Sequence, residues 1–229
     1  MRLAAFFSGG KDSTFAIYTA KKHGHTVEVL LTLFPKSDES HLLHHPNILQ
    51  TKMQSKSMQI PQIIDISKDI ESNIEELELD NLIKTAKKTY EFEGIVHGGI
   101  LSKYQKNKFE SLCKNNDLKL ISPIWQKNPL LYMKELLDNN FEFIISSVST
   151  EGLDKSWIGK KISYQEIDEL EQLSNKFQFN LNFEGGEAET FVINCPLFEN
   201  PIKIVNSNKI WDGQRGRFEI VEAKLENNA

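Results

Sequence analysis

The amino-acid sequence predicts an α/β fold, in which a parallel β-sheet carries helices on both faces and a smaller α+β domain follows. In the first two-thirds of the chain, short apolar runs alternate with longer amphipathic stretches, the pattern of repeated β-α-β units. The last third is rich in strand patterns, with turn signals at Pro196, Pro201 and Asp212-Gly213. The pattern changes near residues 125–130, so we predict domains at 1–127 and 128–229.

Five strands and three helices are predicted in the first domain. The strands are the short apolar runs at 3–7, 27–34, 62–66, 94–97 and 118–124. The first helix, at 12–23, has Phe15, Ala16 and Thr19 on one face. Helical spacing predicts a second helix before the fourth strand and a third at 102–116. Their apolar positions are Leu79, Leu82, Ile83, Ala86 and Tyr90 in the second and Phe109, Leu112 and Cys113 in the third.

The second domain is predicted to begin with a helix at 130–139 and a strongly apolar strand at 141–148. An amphipathic helix follows at 164–177, with Ile167, Leu170, Leu173 and Phe177 on its buried face. The remainder, up to residue 225, is predicted as strands joined by turns.

Composition and charge exclude several classes of protein. The chain has 229 residues, of which 39% are hydrophobic and 26% charged, a balance typical of soluble globular proteins. No apolar stretch approaches the ~20 residues of a membrane-spanning helix, and the first residues make a poor signal peptide. Two cysteines are typical of a reduced, cytoplasmic chain, and a net charge of −5 weighs against nucleic acid as a partner. We therefore expect a cytoplasmic protein that binds neither membrane nor, by itself, nucleic acid.

The strongest local motif is Ser8-Gly9-Gly10-Lys11-Asp12-Ser13, which we call the phosphate loop. It joins a predicted strand to a predicted helix, although its spacing is not that of a Walker A loop. Adjacent glycines let the backbone approach an anion, and the start of the helix offers N–H groups and a positive dipole end. Lys11 adds a mobile charge, and two serines add hydroxyl donors. A plain strand-to-helix turn with Asp12 as cap is the alternative, which the complete hexapeptide disfavours.

A second polar motif, the glutamate segment, covers residues 184–190. It places Glu184, Glu187 and Glu189 around the pair Gly185-Gly186. Three carboxylates at a glycine turn could bind Mg²⁺, orient an ammonium group or act as general base. They could equally form a solvated acidic hairpin, and the residues alone leave these alternatives open.

Other polar and aromatic residues give weaker signals. Around His41, His44 and His45 no cysteine or acidic ligand cluster has the spacing that a metal site requires, so a loop with His44 lining a pocket is favoured. Cys113 is predicted to pack in the core and Cys195 to be structural. The segment around Trp157 is predicted as either a lid or a packed loop.

The phosphate loop closely resembles the pyrophosphate-binding loop of N-type ATP pyrophosphatases, the PP-loop superfamily. With the glutamate segment and the following FVINCPLF, it is similar to the signature of diphthine–ammonia ligases, the diphthamide synthase family. Segments 40–47, 97–105, 123–125 and 152–159 also resemble this family, so the resemblance runs from residue 3 to about 200. Phe183 stands where the family usually has glycine, and Ala188 where it often has an aromatic residue. These two departures leave the shape of the acceptor pocket open.

The resemblance implies a Rossmann-like (HUP-type) first domain that binds ATP at the carboxyl ends of strands one and four, with Mg²⁺ as cofactor. The residues that the resemblance implies to bind ATP are Ser8, Gly9, Gly10, Lys11, Asp12, Ser13, His44, Gly98 and Gly99. Asp12 is the implied metal ligand, and the implied catalytic residues are Lys11, Asp12, Glu187 and Glu189. The second domain is implied to receive the acceptor substrate, whose candidate contacts are Tyr104, Gln105, Trp157, Glu184, Glu187 and Glu189.

The reaction implied by the resemblance is the ATP-dependent amidation of diphthine on elongation factor 2. The diphthine carboxylate attacks the α-phosphorus, and ammonia then converts the acyl-adenylate into diphthamide and AMP. Two alternatives remain: a related enzyme that amidates or thiolates another substrate, and a non-catalytic adenine-nucleotide-binding protein. The acidic net charge argues against tRNA as that substrate, and the absence of Cys-x-x-Cys pairs argues against sulfur relay. The sequence leaves open whether the protein is a homodimer.

Overall fold

The computed structural model describes residues 1–34, 47–67 and 72–226. In chain order the elements are β1 (Arg2–Phe6), α1 (Lys11–Lys22), β2 (Thr26–Phe34), α2 (Thr51–Met58), β3 (Gln62–Ile66), α3 (Ser72–Lys87), β4 (Gly94–Val96), α4 (Lys103–Asn115), β5 (Lys119–Ile121), α5 (Pro129–Asp138), β6 (Glu142–Val148), α6 (Tyr164–Phe177), β7 (Ala188–Asn194), β8 (Ile202–Trp211) and β9 (Gly216–Leu225). Short 3-10 turns lie at Ile48–Gln50 and Lys155–Trp157.

These residues divide into two compact units. The first comprises 1–8, 12–34, 59–67 and 72–126. The second comprises 9–11, 47–58 and 127–226. Three residues of the phosphate loop, Gly9 to Lys11, therefore cluster with the C-terminal part of the chain, as does α2.

The first unit contains a five-stranded sheet of order β3-β2-β1-β4-β5, in which every neighbouring pair is parallel. Crossovers between parallel strands are almost always right-handed. Strand β2 lies on one side of β1 in the sheet, whereas β4 and β5 lie on the other side. The connection from β1 to β2 and the connections that lead to β4 and β5 therefore run in opposite directions along the sheet. As a result α1 lies on one face and α3 and α4 lie on the other. The order reverses between β1 and β4, the position where open parallel sheets bind ligands beyond the carboxyl ends of their strands.

One face of this sheet carries a core formed with α3 and α4. Side chains alternate between the faces along each strand, so Ala4 of β1 packs in this core while its neighbours face away. The other buried members of the core are Val29, Leu31, Leu33, Leu79, Leu82, Ile83, Ala86, Phe92, Ile95, Phe109, Leu112, Cys113 and Leu118. The helical spacing in the sequence thus identified the inward faces of α3 and α4 correctly.

Both cysteines are free and buried. Burial raises the pKa of the Cys113 thiol to about 12 and that of the Cys195 thiol to about 12. Each thiol is therefore neutral at pH 7 and lacks the thiolate that reactive cysteines need. The prediction that both residues are structural is confirmed.

The second unit contains an antiparallel sheet of order β7-β6-β9-β8, together with α5 and α6. Helix α6 begins with a capping box in which Ser163 and Glu166 bind each other's backbone N–H groups. Ile167 and Leu170 are buried, whereas Leu173 and Phe177 are only partly buried. With one parallel sheet between helices and a second, antiparallel α+β unit, the predicted fold class is confirmed.

Two elements differ from the sequence prediction. The fifth strand covers only Lys119–Ile121, and α2 was not predicted at all. The buried residues of α2 are mostly polar: Thr51, Gln54, Ser55, Ser57 and Met58. A search for apolar periodicity misses such a face because its inward side chains are hydrogen-bonding groups. Across the residues described, no helix combines the length and apolar character needed to cross a membrane.

Candidate functional site

The phosphate loop follows β1 and leads into α1, as predicted. In the first unit, the hydroxyl oxygens of Ser8 and Ser13 lie 3.2 Å apart, and the Ser8 N–H donates to the Ser13 hydroxyl at 3.3 Å. Between them Gly9 adopts a φ of +80°, in the left-handed region that glycine tolerates best. The two serines therefore close the ends of the loop onto each other.

Gly98 packs against the beginning of α1 within the first unit. A Cβ at this position would lie 2.8 Å from the carbonyl carbon of Asp12 and from the amide nitrogen of Ser13. Only glycine allows the chain after β4 to approach the helix backbone this closely. The sequence predicted Gly98 at the site on the basis of a motif, and the structure gives the steric reason for a glycine there.

Gly9 and Lys11 lie beside β7 in the second unit. The Val192 N–H donates to the Gly9 carbonyl oxygen at 3.1 Å, and the Lys11 N–H donates to the Thr190 hydroxyl at 3.0 Å. Thr190 is the last residue of the glutamate segment. The two motifs singled out in the sequence, separated by about 180 positions, are thus hydrogen-bonded to each other.

The Lys11 side chain is buried, with 2% of its surface exposed. Its Nζ donates to the Asn182 carbonyl oxygen at 2.7 Å and lies 6.0 Å from the ring centroid of Tyr132 and 5.4 Å from that of Phe183. Both rings are within reach of a cation–π interaction. The expectation of a mobile lysine is wrong, because the ammonium group is held by a carbonyl and two aromatic rings.

Glu187 stabilises the turn that precedes β7. One of its carboxylate oxygens accepts the Asn180 N–H at 2.9 Å and the other accepts the Gly185 N–H at 2.8 Å. These bonds fix the carboxylate within the turn. Glu184 and Glu189 are partly exposed, one in the turn and the other on β7. The three glutamates therefore have different surroundings, which their shared motif did not indicate.

Sequence analysis missed Gln54, a buried residue of α2 in the second unit. Its Nε2 donates to the Gly9 carbonyl at 2.9 Å and to the Val192 carbonyl at 2.8 Å. It therefore joins the phosphate loop to β7. No motif marks this residue, and a lone glutamine in an unrecognised helix gave no signal for it.

The remaining predicted residues are more widely distributed. Tyr104 and Gln105 lie in the first turn of α4 in the first unit, where Tyr104 is 56% exposed and the Ser102 hydroxyl accepts the Gln105 N–H. Trp157 belongs to the second unit and is 2% exposed, with Lys160 Nζ 4.3 Å from its ring centroid. Of the two alternatives for this segment, its burial matches the packed loop. His44 lies outside the described residues.

Family models described as the diphthamide synthase N-terminal domain and the diphthamide synthase C-terminal domain match residues 1–120 and 128–225. The chain belongs to the diphthamide synthase family. Similar proteins named diphthine–ammonia ligase occur in Bos taurus, 34% identical over 92% of this chain and 85% of that protein, and in Homo sapiens, 33% identical over the same shares. A Saccharomyces cerevisiae relative of that name is 27% identical over 93% of this chain but only 36% of its own length. These names support a role in diphthamide synthesis.

The structure explains one departure from the diphthamide synthase pattern. Phe183, where we expected this family to have glycine, adopts a φ of +63°. This left-handed conformation is strained for a large side chain and favours glycine. The Phe183 ring covers the Lys11 ammonium, with its centroid 5.4 Å from Nζ. Residue 183 of this chain therefore has a backbone conformation that glycine would adopt without strain.

ATP use is implied by the diphthamide synthase family, and the donor groups can be tested against Mg²⁺. Asp12 lies in the first turn of α1. Over the described part of the chain, no three metal-ligating side chains come together. Mg²⁺ in nucleotide sites often takes one or two protein carboxylates and completes its shell with phosphate oxygens and water. A single carboxylate in the phosphate loop fits that mode, and Asp12 is the candidate ligand.

His97 gives a testable pH dependence. Its ring is buried against Phe109, with centroids 4.3 Å apart, and its Nδ1 accepts the Gly99 N–H at 3.3 Å. Burial lowers the pKa of His97 from 6.5 to about 4. On acidification this histidine binds a proton at a higher pH in the unfolded chain than in the folded chain. The free energy of unfolding should therefore decrease as pH falls from about 6.5 to about 4, by about 3 kcal/mol in total at about 1.4 kcal/mol per pKa unit.

Urea unfolding of wild type and His97→Gln between pH 4 and pH 7 measures this effect. The wild type should lose more stability on acidification than the variant, while His23→Gln, at an exposed histidine of α1's C-terminal end, should follow the wild type. Parallel curves for wild type and His97→Gln would contradict the prediction.

Proposed function

We propose that this protein is a diphthine–ammonia ligase that uses ATP to amidate diphthine on elongation factor 2. The diphthine carboxylate attacks the α-phosphorus of ATP, which forms an acyl-adenylate and releases pyrophosphate. Ammonia then attacks the acyl carbon, so that AMP leaves and diphthamide forms. The observation that carries the proposal is a pair of hydrogen bonds with β7, in which Gly9 accepts from Val192 and Lys11 donates to Thr190, because they join the phosphate loop to the carboxylate-rich segment.

The phosphate loop is proposed to hold the β- and γ-phosphates of ATP. Ser8, Gly10 and Ser13 supply backbone and hydroxyl groups, and Lys11 supplies a cation fixed in place. A preorganised charge in a buried setting stabilises developing negative charge better than a mobile one, because it needs no reorganisation during the reaction. Gly98, which packs on the first turn of α1, and Gly99 are proposed as further contacts of the nucleotide. Mg²⁺, held by Asp12 and phosphate oxygens, would offset charge on the leaving pyrophosphate.

The glutamate segment is proposed to receive the acceptor. Diphthine carries a permanent trimethylammonium cation, and Glu184 and Glu189 offer opposite charge to it. Ammonium, the form that dominates at pH 7, must also lose a proton before its nitrogen can attack. We assign the uptake of this proton to Glu189, the glutamate of the segment that lies on β7 itself. Glu187 could not turn towards a substrate without breaking its bonds to Asn180 and Gly185, so we assign it to positioning.

The two roles predict different results for two variants. Glu189→Gln removes the base, and amidation should fall about 10²–10⁴-fold with ATP affinity unchanged and with a smaller effect on the melting temperature than Glu187→Gln. Glu187→Gln keeps only one acceptor oxygen, so one of its two backbone partners loses its bond. It should lower the melting temperature as well as amidation. Amidation rates, ATP affinity and thermal melting of both variants measure the difference. Unaltered amidation by Glu189→Gln would refute its assignment as base.

The reaction itself is tested by reconstitution. Purified protein, ATP, Mg²⁺, ammonium and elongation factor 2 bearing diphthine are combined, with each component omitted in turn. AMP should form only in the complete mixture, and the mass of the modified histidine peptide should fall as a hydroxyl becomes an amino group. AMP formation that does not depend on the factor would support the proposed cleavage of ATP but would contradict diphthine on elongation factor 2 as the acceptor. Bound ATP without AMP in any mixture would indicate a nucleotide-binding protein that is not catalytic.

A further inference from the structure

Gln54 makes its two hydrogen bonds at the cost of leaving its own carbonyl group without a partner. Its Nε2 bridges the carbonyl oxygens of Gly9 and Val192, whereas its Oε1 is buried and accepts no hydrogen bond. A buried polar atom without a partner is unfavourable. An apolar side chain would avoid this loss, so the benefit of a glutamine at this position lies in the two bonds that it donates.

Those bonds determine the orientation of one peptide group in the phosphate loop. The Gly9 carbonyl accepts from Gln54 Nε2 at 2.9 Å and from the Val192 N–H at 3.1 Å, so both of its lone pairs are used. In a planar trans peptide the N–H points opposite to the C=O. With the Gly9 carbonyl directed at α2 and β7, the Gly10 N–H is directed to the opposite side of the loop.

A peptide between two glycines needs such an anchor. Glycine adopts positive and negative φ with similar ease, so the Gly9-Gly10 peptide could rotate and exchange its carbonyl and N–H directions. A carbonyl oxygen turned towards bound phosphates would repel them, whereas an N–H attracts them. Gln54 also packs directly on Gly9, since a Cβ at Gly9 would lie 2.3 Å from its Oε1.

We propose that Gln54 is a positioning residue for nucleotide binding, which holds the Gly9-Gly10 peptide in the orientation that accepts phosphate. The inference rests on the proposed function for the identity of the anion, and it assigns to α2 a part in the site that no motif indicates. Gln54 acts through the loop backbone and does not contact the nucleotide.

The test compares Gln54→Met with Gln50→Met. Methionine keeps the length of the side chain and removes the donor. Gln50 is a matched control in the same segment, because its Nε2 donates to a single carbonyl, that of Ile220 on β9, at 3.1 Å. Calorimetry with inorganic pyrophosphate and steady-state kinetics with ATP and the diphthine-bearing factor are measured on both variants and on wild type.

Gln54→Met should weaken pyrophosphate binding at least about tenfold, as expected for two lost hydrogen bonds. The KM for ATP should rise by a similar factor, while the KM for the protein acceptor stays unchanged. Gln50→Met should retain wild-type values in all three measurements. Equal effects of the two variants, or unchanged pyrophosphate affinity in folded Gln54→Met, would overturn the proposal.

A measurement on wild type covers the case in which Gln54→Met does not fold. The side-chain amide protons of Gln54 should exchange with solvent slowly, and more slowly once pyrophosphate is added, in contrast to those of Gln50. Fast exchange that pyrophosphate does not alter would overturn the proposal. Wild type that binds pyrophosphate but amidates nothing refutes the proposed function alone. Wild type that binds neither pyrophosphate nor ATP refutes both.

Discussion

Lys11→Met is expected to reduce AMP formation about 10²–10³-fold while leaving the protein folded. The ammonium group is the cation that the phosphate loop would present to ATP, and removal of one preorganised charge or donor from an active site typically has an effect of this size. The methionine side chain can occupy the space between Tyr132 and Phe183 without the cost of burying a charge. The Asn182 carbonyl oxygen loses its ammonium donor in exchange, and because a buried acceptor without a donor is unfavourable, the melting temperature should fall modestly.

Lys160→Met is the matched control for this variant. Lys160 also places its ammonium group over an aromatic ring, that of Trp157, and lies in the same unit. Its removal should leave AMP formation unchanged. Both rates are measured at saturating ATP and with the complete acceptor system. Full activity of Lys11→Met would show that the buried ammonium serves packing and not phosphate binding.

Gly9→Ala is expected to combine a loss of stability with a loss of nucleotide affinity. The added Cβ would lie 2.3 Å from Gln54 Oε1 and 2.8 Å from Thr51 Cγ2, in a residue whose φ is +80°. Gln54 would have to move and break its two bonds, which together contribute about 2 kcal/mol. The left-handed backbone adds about 1 kcal/mol for any residue with a Cβ.

Gly24→Ala separates the two contributions. Gly24 has nearly the same φ, +82°, but an added Cβ there meets nothing within 4 Å. This variant should lose only about 1 kcal/mol and should bind ATP like wild type. Urea unfolding and ATP titration of both variants provide the comparison. Equal losses of stability would mean that α2 relaxes freely around residue 9 and does not restrain the loop.

The sequence predicted the elements whose signals are local. The strand at 62–66 and the helix at 164–177 have the predicted bounds, because each has a clear apolar pattern and a marked start or end. The phosphate loop was likewise located at the junction of β1 and α1 from its complete hexapeptide between a predicted strand and a predicted helix. Local spacing was sufficient in these places, since neighbouring residues determine both the pattern and the structure.

Features that depend on distant partners were not accessible in this way. The polar face of α2 is recognisable only when the Gly9 and Val192 carbonyls that Gln54 binds are known. The fixed Lys11 and the turn-stabilising Glu187 depend in the same way on the backbone around Asn180 and Asn182. Motifs marked the candidate residues, whereas the different surroundings of these residues follow from hydrogen bonds between segments far apart in the chain.

The pairing of Gly9 and Lys11 with β7 also sets an order of events during protein synthesis. The loop lies at the beginning of the chain, yet its partner Thr190 is 179 residues further on. Domains generally fold as they emerge from the ribosome, N-terminal part first. A nascent chain that has reached residue 126 already possesses every strand of the parallel sheet but none of the β7 groups that hold the loop. Nucleotide binding must therefore mature late, only after most of the polypeptide has been translated.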